Sequence, residues 1–427
     1  MPLLLTSLFV LAYLAIALES PLKINKSASA LLGAGLLWTV YALVSGDAAQ
    51  VNAQLSDSLV GTAQIVFFLI AAMAIVEVID AHDGFEVLTT AIQTRRLSTL
   101  MWLVGLFTFF LSSILDNLTT TIVMLSLMRR LLAERQDRMT FAGLIVIAAN
   151  AGGAWTPIGD VTTTMLWIGG QVTTLAIMQG VFLASIVNLL VPLTAAAWMA
   201  GSRGVLAPAK ADAGGMLPTT PMERTVVLVL GLASLVLVPV FKALTHLPPY
   251  LGILLGLGVL WMVADLMHRR KDDDQKRHLT LVSALARIDM GSIVFFIGIL
   301  LAVAVLEHSH ILATLAHWLD TTVGRLDLIV LVIGMASAVV DNVPLVAASM
   351  GMYDLAQYPA DHFLWEFMAY CAGTGGSILI IGSASGVAAM GLERIDFMTY
   401  LRKTSALALA GYMAGALVYL AQYRWLH

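Results

Sequence analysis

The sequence predicts an all-α polytopic membrane protein built from two inverted repeats, each with five spans, one of them broken, and one re-entrant helical hairpin. Three observations carry this expectation. Of the 427 residues, 59% are hydrophobic and only 12% charged, about half the charged share of a soluble domain. Apolar runs of roughly 17 to 25 residues, long enough to cross a bilayer, recur along the chain. One polar motif also occurs twice, as SSILDNLTTTIVM at 112–124 and SAVVDNVPLVAASM at 337–350. Each copy sets an Asp-Asn pair among apolar residues, where ionisable groups are rare and usually functional.

A second feature follows each pair: NAGGAWTPIGDVTT at 150–163 and GTGGSILIIGSASG at 373–386. Gly152, Gly153 and Gly159 align without a gap on Gly375, Gly376 and Gly382, an offset of 223, while the Asp-Asn pairs are offset by 225. A weaker echo relates FFLIAAMAIVEVID at 67–80 to VFFIGILLAVAVLE at 294–307. The first repeat is assigned to 1–200, a cytoplasmic linker to 201–222 and the second repeat to 223–427.

The spans of the first repeat are expected at 3–18, 28–44 and 65–79. The opening stretch lacks a basic n-region and a small-residue cleavage site, so it reads as a retained helix. A polar stretch, 80–96, leads to an apolar segment at 99–131 that the Asp116 motif interrupts. Basic residues stand at both its ends, which suits a hairpin with its tip near 112–119. A span at 141–168 is broken near 152–161 by glycines and Pro157, and 175–199 completes the repeat. The second repeat follows the same order with spans at 226–241, 251–267 and 292–306, then a polar stretch, 307–325. A hairpin tip near 337–346, a span at 364–390 broken near 375–386 and a last span at 407–420 complete it.

Five crossings per repeat is an odd number, so the two repeats must run in opposite senses. With both termini on the exterior of the cell (inner) membrane, only Lys242, Arg325 and Arg424 of 23 basic residues lie outside, as the positive-inside rule requires. The first hairpin then opens to the cytoplasm and the second to the exterior. The net charge of -4 gives no case for a nucleic-acid partner, and the single Cys371 excludes an internal disulfide or a cysteine metal cluster.

Broken helices in inverted repeats are the architecture of secondary transporters, whose coupling ions sit where unwound backbone exposes carbonyls. Glycine permits the unwinding, and proline removes a donor. The Asp116 carboxylate, the Asn117 amide oxygen and the hydroxyls of Thr119, Thr162 and Thr163 add hard oxygen donors, which suit an alkali or alkaline-earth cation and not a transition metal. Asp and Asn also cap helices, so capping alone could account for them. Burying a carboxylate where a serine would serve is costly, however. Thr163, Thr164, Ser377, Ser383 and Ser385 can equally bond their own backbone. Glu77 and Asp80, at the cytoplasmic end of a span, are either interfacial charges or a proton route.

Together with VEVIDAHDGF at 76–85, the first hairpin motif, the NAGGAWTPIGDVTT stretch and the second hairpin motif resemble the NhaD-type sodium/proton antiporters of the ion transporter superfamily. The resemblance runs over essentially the whole chain. It implies a homodimer in the lipid bilayer that serves pH homeostasis, with a moving transport domain. It places ion-binding or proton-exchange roles on Asp116, Asn117, Asn150, Asp160, Thr162, Thr163, Asp341, Asn342 and Ser377. The expected function is exchange of Na⁺, or Li⁺, for H⁺ at carboxylates that proton and cation cannot share, with Na⁺ at Asp116, Asn117, Asp160, Asp341 and Asn342. Asp160 aligns with Ser383, which suggests one principal site in the first repeat. No enzyme activity and no cofactor beyond the transported ions is expected. A sodium-coupled dicarboxylate carrier or an arsenite-type exporter is the alternative within transport, and neither motif carries the Arg or Lys an anion site needs. An intramembrane aspartyl protease would leave the repeated hairpins without a role.

Overall fold

The computed structural model describes residues 2–85, 94, 96–200, 219–269, 271, 272 and 278–426. They are helical almost throughout. In chain order the elements are α1 (Pro2–Ala17), α2 (Glu19–Leu22), α3 (Lys26–Ser45), α4 (Ala48–Ala81), α5 (Leu97–Ser112), α6 (Asn117–Leu131), α7 (Arg135–Ala154), α8 (Val161–Ile168), α9 (Thr174–Ala200) and α10 (Pro221–Thr245). They continue with α11 (Pro249–His268), α12 (Leu281–Leu285), α13 (Met290–His308), α14 (Ile311–Thr322), α15 (Leu326–Ala336), α16 (Asn342–Met352), α17 (Phe363–Gly375), α18 (Ala384–Glu393), α19 (Phe397–Tyr400) and, after a π-helical turn at Leu401–Ser405, α20 (Ala406–Leu426). Seven helices among the described residues are long and apolar enough to cross a membrane. The protein is therefore an all-α polytopic membrane protein.

Two elements differ from expectation. Where a span was expected at 65–79, α4 runs for 34 residues, about 50 Å at 1.5 Å per residue and well beyond a hydrocarbon thickness of about 30 Å. Its first half, with Asn52, Gln54, Ser56, Asp57 and Ser58, is too polar to read as a span, but it contains no proline and its one glycine, Gly61, is tolerated. The polar stretch at 307–325 contains α14, which buries Leu312 and Ala316 and exposes Leu315 and Trp318. The expected linker lies outside the described residues as far as 218, as do 86–93 and 95 of the first polar stretch. α10 begins at Pro221, where a capping box between Thr220 and Glu223 and a proline at N1 start the helix.

The same contacts occur in both halves. α5 packs on α7, and α15 on α17. The Ser112 hydroxyl donates to the Ala149 carbonyl (2.7 Å), and the Ser337 hydroxyl donates to the Ala372 carbonyl (2.9 Å). At these crossings a Cβ on Gly152 would lie 2.1 Å from the Phe109 carbonyl oxygen, and one on Gly375 would lie 2.0 Å from that of Gly334. Only glycine allows the hairpin arm so close to the broken helix. The second arms then cross over: α6 packs on α18, and α16 on α8. The arms α15 and α16 have 11 residues each, a rise of about 16 Å, so neither spans a bilayer alone.

Candidate functional site

Four half-helices start at polar residues of the repeated motifs, and each of these residues caps its helix. Asp116 caps α6, with Oδ1 accepting from the Thr119 amide (2.9 Å) and Oδ2 from the Thr119 hydroxyl (2.5 Å). Asp160 caps α8, with Oδ1 accepting from the Thr162 amide (2.8 Å) and hydroxyl (2.6 Å). Asp341 caps α16 by accepting from the Val343 amide (3.2 Å), and Ser383 caps α18 by accepting from the Gly386 amide (3.2 Å). The capping alternative is thus satisfied at all four positions. Each cap satisfies amide groups that helix termini leave open. For Asp160 and Asp341 it uses one carboxylate oxygen and leaves the other for a different partner.

Those second oxygens define the site. Asp160 Oδ2 accepts from Asn117 Nδ2 (2.5 Å), which also donates to Asn150 Oδ1 (3.0 Å). Asn150 Oδ1 accepts in addition from the Ser385 hydroxyl (2.7 Å), and Asn150 Nδ2 donates to Ser383 Oγ (3.0 Å). The two serine hydroxyls share a hydrogen bond of 2.9 Å. A continuous chain therefore links the first hairpin tip, both parts of the first broken helix and the second broken helix. Asp160 is 1% exposed, and Asn150, Thr162 and Thr163 are fully buried. Among the described residues the Thr163 hydroxyl has no hydrogen-bond partner, which leaves an oxygen donor beside the chain.

Cavities reach this cluster. A small one of 60 Å³ is lined by Asp116 and Asn117 and also by Phe296 and Ala384. A larger one of 230 Å³ shares Met73, Val76 and Leu118 with it and extends past Thr119 to Glu77, Asp80, Asp83 and Asp289. Glu77 pairs there with Arg287 at 3.2 Å. A third, of 440 Å³, holds Asp341, Ser383, Glu19 and Lys26.

Of the expected residues, the structure brings Asn117, Asn150, Asp160 and Thr162 into direct contact, with Asp116 and Thr119 adjoining. Asn342, 5% exposed, begins α16 beside Asp341, which lines the third cavity together with Ser383. Ser377 does not join them: its hydroxyl donates to the Thr374 carbonyl (2.6 Å), and its own carbonyl accepts from Tyr400 (2.8 Å). Three further residues take part. Ser383 and Ser385 close the network, and the offset of 223 that aligns Ser383 with Asp160 is their signal in the sequence. Lys26 Nζ lies 3.1 Å from Asp341 Oδ2: a basic residue from outside the motifs reaches a tip that carries none of its own. The local sequence is silent here, because a lysine at the start of a span reads as a cytoplasmic flank.

The sequence profile of the citrate transporter family matches residues 13–373. "Sodium/proton antiporter 1" of Arabidopsis thaliana is 51% identical over 416 residues, covering 97% of this chain and 71% of the relative. "Sodium/proton antiporter 2" of the same plant is 46% identical over 97% of this chain and 98% of its own length. The "Na(+)/H(+) antiporter NhaD" of Vibrio cholerae is 30% identical over 97% of this chain and 90% of its own.

Proposed function

The chain belongs to the citrate transporter family, among its NhaD-type sodium/proton antiporters, and from this premise we propose that it exports Na⁺, or Li⁺, in exchange for protons that compete for the same buried carboxylates. It is a Na⁺/H⁺ antiporter and not an enzyme. The observation that carries the mechanism is the chain of hydrogen bonds from Asn117 through Asp160 and Asn150 to Ser383 and Ser385. A buried carboxylate in such a cluster holds either a proton or a cation, since each lowers the affinity for the other. Asp160 and Asp116 supply the charge, and Asn150 Oδ1, the Thr163 hydroxyl and carbonyls of the unwound 155–160 turn supply neutral oxygens. Release of the Asn117 amide from Asp160 would open the second carboxylate oxygen to Na⁺.

The family also contains carriers of citrate, an anion. Here the cluster is acidic, and the ammonium that reaches a hairpin tip is engaged by Asp341, which supports a cation as cargo.

The crossed packing of α6 on α18 and α16 on α8 supports two inverted repeats at 1–200 and 223–427 around a pseudo-two-fold axis. With both termini on the exterior of the inner membrane, the cavities beside Glu77 and Lys26 both open to the cytoplasm. Glu77 and Asp80 then line the route of protons and Na⁺ to Asp116, and the geometry is inward-facing, one end of an alternating-access cycle. The molecule works in this reading as a homodimer. Exposed apolar residues such as Val229, Leu237, Leu255 and Met262 are available to lipid or the second copy.

Purified protein in proteoliposomes tests the reading by the proton flux that Na⁺, Li⁺ and K⁺ each elicit when added alone. Flux with Na⁺ is expected. Flux elicited by citrate and by no alkali cation would sink the proposal.

A further inference from the structure

We propose that Lys26 is a tethered competitor for the transported cation: its ammonium holds Asp341 in the unloaded carrier and must leave before Na⁺ can use that carboxylate. The proposal rests on the Na⁺/H⁺ exchange reading above. A lysine at the cytoplasmic start of a span ordinarily extends to water. Lys26 turns inward instead, to a hairpin tip 315 residues away in sequence. Its Nζ sits 3.1 Å from Asp341 Oδ2 and 4.5 Å from the centroid of the Phe295 ring.

The two hairpin aspartates therefore differ in a way the repeat does not predict. Asp116 has both oxygens met by the neutral Thr119, whereas Asp341 carries a cation supplied by the chain itself. A bare carboxylate at this depth is costly, and the ammonium answers that charge in the absence of Na⁺. The pair is not sealed. The two side chains are 25% and 16% exposed and line the 440 Å³ cavity together with Ser383, the cap that joins the Asn150 network. An entering cation thus meets the pair on its way to the site, and the Phe295 face offers the displaced ammonium a second resting place.

The test measures Na⁺-dependent proton exchange in proteoliposomes at alkaline pH, where protons compete least, and radioactive Na⁺ binding to the detergent-purified protein. Without the competing ammonium, Lys26→Gln should bind Na⁺ more tightly, with an apparent KM and Kd at least about tenfold below wild type. Turnover should fall because release slows. Lys26→Cys should behave alike, and attachment of an aminoethyl disulfide, which restores an ammonium, should return KM towards wild type, whereas a neutral methyl disulfide should not. The native Cys371 is fully buried, so the reagent reports on position 26. If Lys26→Gln does not fold, Lys26→Met, apolar and of similar length, replaces it. A Kd at or above the wild-type value in these variants, or restoration that ignores the charge of the reagent, overturns the proposal. Wild-type protein that exchanges no alkali cation would instead overturn the functional reading beneath it.

Discussion

At Asp116 the requirements of a cap and of a carrier separate. An asparagine there still accepts from the Thr119 amide through its oxygen, and its Nδ2 can donate to the Thr119 hydroxyl, which reverses its proton without moving. Asp116→Asn should therefore melt within about 0.5 kcal/mol of wild type yet lose Na⁺-dependent proton movement, because nothing titratable remains. Wild-type exchange in that variant would return Asp116 to a capping role. Asp160→Asn is less clean: it keeps both Thr162 bonds but sets its Nδ2 against Asn117 Nδ2. Two facing donors cost about 1–3 kcal/mol, so a lower melting temperature should accompany the loss of exchange. Melting curves and flux on the same samples check both. These aspartates were legible in the sequence because a charge in an apolar run stands out. Lys26 was not, since its role depends on a contact that only the tertiary fold creates. Ser377 lies in the right motif, but its hydroxyl is taken by the Thr374 carbonyl at the end of α17, the backbone bond its sequence also allowed.

Among the elements, the crossings of hairpin arm and broken helix set the positions of the caps. At Gly152 and Gly375 an added Cβ meets backbone oxygens that cannot yield, so Gly152→Ala and Gly375→Ala should each destabilise by about 1–3 kcal/mol. Gly35→Ala and Gly61→Ala, with nothing within 4 Å of the new Cβ, should be neutral or stabilising by up to about 1 kcal/mol. Equal melting temperatures across the four would contradict the crossings. The glycines could be read from their shared offset of 223, whereas the first half of α4 was hidden by polar side chains that do not break a helix.

Where α4 ends, His82 is fully buried. Its Nδ1 donates to the Val78 carbonyl (2.7 Å), and its Nε2 lies 2.8 Å from His268 Nε2. A proton on that second nitrogen would set two donors face to face if His268 Nε2 carries the other proton. Burial also moves the ring below the usual imidazole value. The neutral form is thus favoured by folding, and its contribution is complete above about pH 6.5 and lost as pH falls below it. His82→Gln should flatten that part of the dependence of melting temperature on pH. An unchanged profile would remove His82 from it.

For the whole molecule, one buried cluster joins the two halves. The repeated motifs mark residues that recur in matching contacts, and the crossing of α6 on α18 and α16 on α8 is what brings Ser383 and Ser385 to Asn150. Competition between proton and Na⁺ at that cluster is the central claim, and the apparent Na⁺ affinity of the reconstituted wild-type protein, measured across pH, tests it most directly. Below the controlling pKa the affinity should weaken about tenfold per pH unit for each proton displaced, and level off above it. An affinity that stays constant over the whole range in which exchange occurs would contradict the account.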